Sequence, residues 1–114
     1  KGIARYCLAV FDFQDDLPIQ HQVDAVRKTI RRATNSYWLV RELGAYIVFF
    51  AKSKPVNLGA SDLPIDSTGF HAVIVQGVHI VGPMNYHLYN HSKWLNHIFG
   101  GADKISDLIQ SIET

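Results

Sequence analysis

Residues 70–91 read FHAVIVQGVHIVGPMNYHLYNH, and the fold turns on how that stretch pairs. Phe70 to Val81 is dense in branched apolar residues, as a buried strand requires. Gly82-Pro83-Met84-Asn85 supplies a turn, and Tyr86 to His91 alternates like a returning strand. The pattern predicts an antiparallel hairpin at the centre of a sheet. Alternate residues of a strand share a face, so an unbroken pleat sets His71, Val73, Val75, Gly77 and His79 to one side. It also groups His87, Tyr89 and His91 on the partner.

Upstream, Tyr37 to Arg41 and Ala45 to Lys52 are two further β-rich segments around Glu42-Leu43-Gly44, read as a hairpin or one long bent strand. Ser53 to Gly69, with Pro55 and Pro64, reads as a long loop of the kind that often carries function. Ile3 to Phe13 is a strand that stops at Gln14-Asp15-Asp16. Asp16 then caps a helix with Pro18 in its first turn and Ile19, Val23, Val26, Ile30 and Ala33 on one face, closed near Thr34-Asn35. Downstream, Lys93 to Phe99, stopped by Gly100-Gly101, and a segment from Asp103 with Ile105, Leu108, Ile109 and Ile112 on one face read as short helices. The expected fold is therefore α+β: a single domain over residues 1–114, a mainly antiparallel sheet, one long N-terminal helix and two short C-terminal helices packed on it. The chain opens on Lys1, which suggests processing, truncation or excision from a longer precursor.

With 114 residues and 47% apolar content the chain has material for one core. Eleven basic residues against ten acidic ones leave no global field, so a charged partner has to be met by a local patch. The longest apolar runs are too short to cross a bilayer, and no basic-then-apolar leader opens the sequence, so no membrane partner is expected. The lone Cys7 excludes an internal disulfide and any multi-cysteine zinc site, and it fits a reducing, cytoplasmic compartment.

His71, His79, His87 and His91 fall within twenty-one residues, with His97 beyond, and imidazoles on adjacent strands can converge on zinc. No pair has the tight helical spacing of zinc motifs and no carboxylate or thiol lies nearby in sequence, so hydrogen bonding is the preferred reading and no metal is assigned. Gly69-Phe70-His71-Ala72-Val73, the aromatic-rich strand closing on Asn90, and the preceding Gly44-Ala45-Tyr46-Ile47-Val48-Phe49-Phe50 together resemble the histidine hairpin of papain-like cysteine peptidases, including the bacteriocin-processing type. The resemblance covers roughly residues 44 to 110. It implies a thiol hydrolase, active or degenerate, with His71 as general base, Asn90 as its orienting partner and Cys7 as the nucleophile. Cys7 lies mid-run in an apolar strand, which also suits a packing residue. If the turn centres on Pro83-Met84, strict pairing sets Asn90 opposite Gly77.

Two other classes of function remain open. One is an interaction module that binds a protein or peptide through its sheet edge or long loop. The other is a small RNA- or DNA-binding domain using Arg27, Lys28, Arg31 and Arg32, of which Lys28, Arg31 and Arg32 form a stripe opposite the apolar helix face. The same stripe also suits a solvated helix end. No phosphate-binding glycine loop, Gly-x-Ser-x-Gly elbow or dinucleotide fingerprint is present, so no cofactor is expected. The oligomeric state has no signal in the sequence.

Overall fold

The computed structural model describes residues 5–37, 41–66 and 71–92. They form strand β1 (Tyr6–Asp12), helix α1 (Ile19–Thr34), strand β2 (Leu43–Phe50), a 3-10 turn (Ala60–Asp62), strand β3 (Val73–Val81) and strand β4 (His87–His91). The strands lie in one sheet in the order β1-β2-β3-β4. β1 pairs with β2 in parallel, β2 with β3 in parallel, and β3 with β4 antiparallel.

This corrects the expected architecture. The sheet is mixed and mostly parallel rather than mainly antiparallel, and its helical content among the described residues is α1 and the 3-10 turn. The segments read as two C-terminal helices lie outside the described residues. Leu43 and Gly44, read as part of a connection, open β2, and the β3–β4 hairpin sits at one side of the sheet with β4 at its edge. The physical reason lies in burial. Every residue of β3 and all but Phe50 of β2 are buried, because strands inside a parallel sheet are covered on both faces and read as continuous apolar runs. Parallel neighbours need long crossovers. One of them contains α1, and the other is the loop of Pro55 and Pro64.

Helix α1 forms because Val23, Val26 and Ile30 recur on one buried face. That face packs on Ala45, Ile47, Phe49, Val73, Val75, Val78 and Ile80, with Leu63 from the second crossover completing the layer. Pro18, not Asp16, occupies the N-cap position, and no side chain caps the helix. The neighbouring loop is held instead by buried Gln22. Its Oε1 accepts the Gln14 amide at 2.9 Å, and its Nε2 donates to the carbonyls of Gln14 at 2.9 Å and Leu17 at 2.7 Å. At the other end Asn35 adopts the left-handed conformation, φ 55, and its amide closes the helix on the Arg31 carbonyl.

The β3–β4 turn places Met84 and Asn85 in succession in the left-handed region, φ 62 and 61. Two consecutive residues there are the signature of a type I′ hairpin turn. Asn tolerates this conformation, whereas Met, 95% exposed, gains no packing in return.

Two stability predictions follow from these elements. Gln22→Leu keeps the volume but strands the Gln14 and Leu17 groups, and is expected to cost about 2–3 kcal/mol, read as a lower urea midpoint at unchanged slope. Met84→Gly is expected to stabilise by about 0.5–1 kcal/mol in the same measurement, by relieving the positive φ.

Candidate functional site

Two constellations of polar side chains stand out, one at the end of α1 and one on the sheet face that α1 does not cover. The first is cationic. The last three turns of α1 carry Arg27, Lys28, Arg31 and Arg32, the following loop brings Ser36 and Tyr37, and the lead into β3 brings His71 and Ala72. Arg27, Lys28, Arg31, Ser36, Tyr37 and His71 line an open cleft of about 430 Å³. A second cleft of about 340 Å³ shares Arg31, Ser36 and Tyr37 and adds Arg32 and Asn35.

The cations are not equivalent. Arg27 is clamped to Asp66, its two terminal nitrogens each 3.0 Å from one carboxylate oxygen. Asp66 also accepts the Val75 amide at 2.7 Å and lies 3.6 Å from Nε2 of His71. This pair ties α1 to the second crossover and to β3, and Asp66 cancels one of the positive charges. Lys28, Arg31 and Arg32 form no ion pair or side-chain hydrogen bond with any described residue. Arg5 reaches from the start of β1 to Ser36 Oγ, 3.4 Å, and to the Arg41 carbonyl, which fastens the loop that presents Tyr37. Tyr37 is 54% exposed.

The second constellation exists because β3 is bulged. Ala45 pairs with Val75 but Tyr46 pairs with Gly77, so Gln76 is an extra residue. Val73 and Val75 face α1. Beyond the bulge the parity is reversed, with Val78 and Ile80 facing α1 and His79 facing away. The single-face assignment of His71, Val73, Val75, Gly77 and His79 fails for this reason. His79 joins His87, Tyr89 and His91 of β4, whose grouping on one face is observed. Its Nδ1 lies 2.7 Å from Nε2 of His87, and its Nε2 lies 2.6 Å from Nε2 of His91. Its ring stacks on His87 and on Tyr89, with centroids 5.0 and 5.4 Å apart.

The arrangement is a chain and not a cage. The central ring offers a different nitrogen to each neighbour, and one ion cannot lie within coordination distance of both nitrogens of one imidazole. No group of three metal-ligating side chains is found among the described residues. His79 is 0% exposed, and its basicity is pushed down to about 3, first by loss of hydration and then by the neighbouring charges of His91 and His87. His91 sits directly over Gly77. A methyl group on Gly77 would lie 2.5 Å from His91 Cδ2 and 2.8 Å from Tyr46 Cδ1. Gln76, fully buried, finds no hydrogen-bond partner for either side-chain amide atom among the described residues.

The residues expected of a thiol hydrolase are distributed as follows. Cys7 lies on β1, on the α1 side and paired with Ala45, and burial pushes its thiol up against the opposing effect of Arg5. Asn90 is on β4, opposite Val78 rather than Gly77, and donates to the Leu63 carbonyl at 3.0 Å. β1 and β4 are the two edges of a four-stranded sheet, so about 14 Å of strand spacing separates them. His71 precedes β3, with β2 between it and Cys7, and the carboxylate beside it is that of Asp66. Of the seven residues singled out, the structure brings together His71, Arg27, Lys28 and Arg31, with Arg32 adjoining.

Ser36 and Tyr37 are not singled out by their sequence context, and Asp66 is named there with Asp62 as a loop pair near His71 but given no role. Asp66 stands in a loop where no spacing rule applies, and Tyr37 reads as the start of a strand. The histidine chain had a signal, since an isolated glycine in a strand pattern, here Gly77 after Gln76, marks a bulge. No family model matches the chain, and neither a curated protein nor a solved structure matches it. Among the described residues no helix is long and apolar enough to cross a membrane.

Gly77→Ala tests the close approach of His91. The added methyl is expected to push His91 and Tyr46 apart at a cost of about 1–3 kcal/mol, with chemical-shift changes concentrated on His79, His91 and Tyr46. A substitution that leaves stability and those resonances unchanged contradicts the described packing.

Proposed function

We propose that this chain is a binding module for single-stranded nucleic acid, holding phosphates with Lys28, Arg31 and Arg32 and stacking a base on Tyr37. The observation that carries the reading is the exposed Tyr37 ring in the same cleft as cations that have no described counter-charge. Phosphate contacts supply the affinity for such ligands, and base–aromatic stacking adds to it without requiring a particular sequence. A cleft of about 430 Å³ is of the size that receives a small ligand moiety.

The C-terminus of α1 works against an anion, but only by about half an elementary charge, against three full cations on its last turns. Arg27 contributes as a strut, since Asp66 already neutralises it. His71 adds a hydrogen-bond donor at the cleft wall. The thiol-hydrolase reading needs Cys7 beside His71, and because β2 runs between them the binding reading is the better supported. A reducing compartment such as the cytoplasm suits a chain with one thiol.

Fluorescence anisotropy with a labelled oligonucleotide, titrated at several salt concentrations, tests the proposal. Three phosphate contacts predict that log K falls with log[salt] at a slope of about −2, and Lys28→Ala with Arg31→Ala should flatten it by about 1.4. Tyr37→Ala should weaken binding by about 1–3 kcal/mol at unchanged slope. Affinity that ignores salt and both sets of substitutions would refute the reading.

A further inference from the structure

We propose that β4 is an acid-released edge strand, whose hold on β3 depends on the protonation of the His87–His79–His91 chain. Two contacts of 2.7 and 2.6 Å join three rings, and each contact needs one bridging hydrogen and one lone pair. A neutral His79 has one N–H and one lone pair, so it donates to one neighbour and accepts from the other. Three neutral rings satisfy both contacts.

One added proton is tolerated. If it resides on His87, that ring donates to Nδ1 of His79, which still donates from Nε2 to His91, and the mirror arrangement holds if it resides on His91. A second proton is not tolerated. With both outer rings cationic, each presents N–H to a central ring that has a single lone pair, and one contact becomes N–H facing H–N. Placing the proton on His79 instead removes its lone pair and sets two imidazolium rings against each other in a buried site. The chain therefore accepts one proton and breaks on the second.

The described strands that share this face bear on this. From β2 the same face presents Tyr46 and Val48, from β3 Gln76 and Val81, and from β4 Tyr89. Tyr46 stays neutral, burial having pushed it up to about 12. Among the described residues of this face the carboxylate is Asp12, on β1 at the opposite edge of the sheet, three strands from β4. The burial that depresses His79 sets the window. A base whose folded value lies below its unfolded value costs stability as pH falls beneath the unfolded value, so the strain builds below about 6.5 and grows toward 3. Release is local because β4 is five residues long, pairs with β3 alone among the described strands, and has partly exposed histidines at both ends, whereas β2 and β3 are buried throughout their centres.

Amide hydrogen exchange on the intact chain, expressed as protection factors at pH 7 and pH 4.5, tests the inference. Protection over His87–His91 is expected to fall at least tenfold while α1 and β2 keep theirs, and the loss should follow the uptake of two protons. In His87→Phe one contact remains, which a neutral pair or a pair with one added proton satisfies, so the pH dependence of β4 should shrink to the part that the burial of His79 sets. His79→Phe removes both contacts and the buried base and should abolish it. Unchanged β4 protection, equal loss in α1, β2 and β4, or a His87→Phe chain that sheds β4 in acid as far as the unsubstituted chain does would each overturn the inference.

Discussion

Gln76 is one residue more than the pairing of β3 with β2 can use, and the shape of both polar sites follows from how the sheet absorbs it. Before the bulge, odd-numbered β3 residues pack on α1; after it, even-numbered ones do. A strand without the extra residue would drive His79 into the layer of Val23, Val26 and Ile30, where burial of a ring with two polar nitrogens would go uncompensated. Backbone bonds on either side of the bulge tie it to its surroundings. The Val75 amide donates to Asp66, and the β3–β4 register runs on by one pair to set the Ser92 amide 2.9 Å from the Gln76 carbonyl. Through those two bonds the bulge fixes the loop that holds Arg27 on one side and the end of β4 on the other.

What the sequence disclosed, and what it withheld, divides along the same line. The apolar stripe of α1 is a local signal, set by the helical period within sixteen residues, and the helix lies where that stripe lies. Pairing direction is not local. Ala45 to Phe50 and Val73 to Val81 read alike whether they run parallel or antiparallel, and the turn at Gly82–Asn85 invited a hairpin-centred sheet because hairpins announce themselves and crossovers do not. The continuity of the two runs was the available clue. A strand exposed on one face alternates, as Tyr86 to His91 does, and one covered on both faces does not.

The candidate sites were legible to different depths for a related reason. The cations at positions 27, 28, 31 and 32 share a helix end, so spacing alone gathered them. Which of them is spent on structure depends on Asp66, thirty-nine residues away from Arg27. The density of histidines was visible in the composition of residues 71–91, but their connectivity required the bulge. With unbroken alternation His79 would be a ring of the α1 side, and His87 and His91 would lie on the opposite face without it.

Charge economy separates the two faces. At the end of α1 the cations are exposed, and water screens their mutual repulsion, so holding three together costs little until a ligand replaces that water. On the opposite face the same number of potential cations is joined by contacts of 2.7 and 2.6 Å through a ring with no access to solvent, where a second charge meets no lone pair. The solution found there is neutrality, with each ring lending the next a proton. Such an arrangement is stable only while the supply of protons is low, and the least anchored strand of the sheet carries two of the three rings. The fold thus concentrates its sensitivity to acid in its smallest paired element and leaves the parallel core, which positions the cationic cleft, outside it.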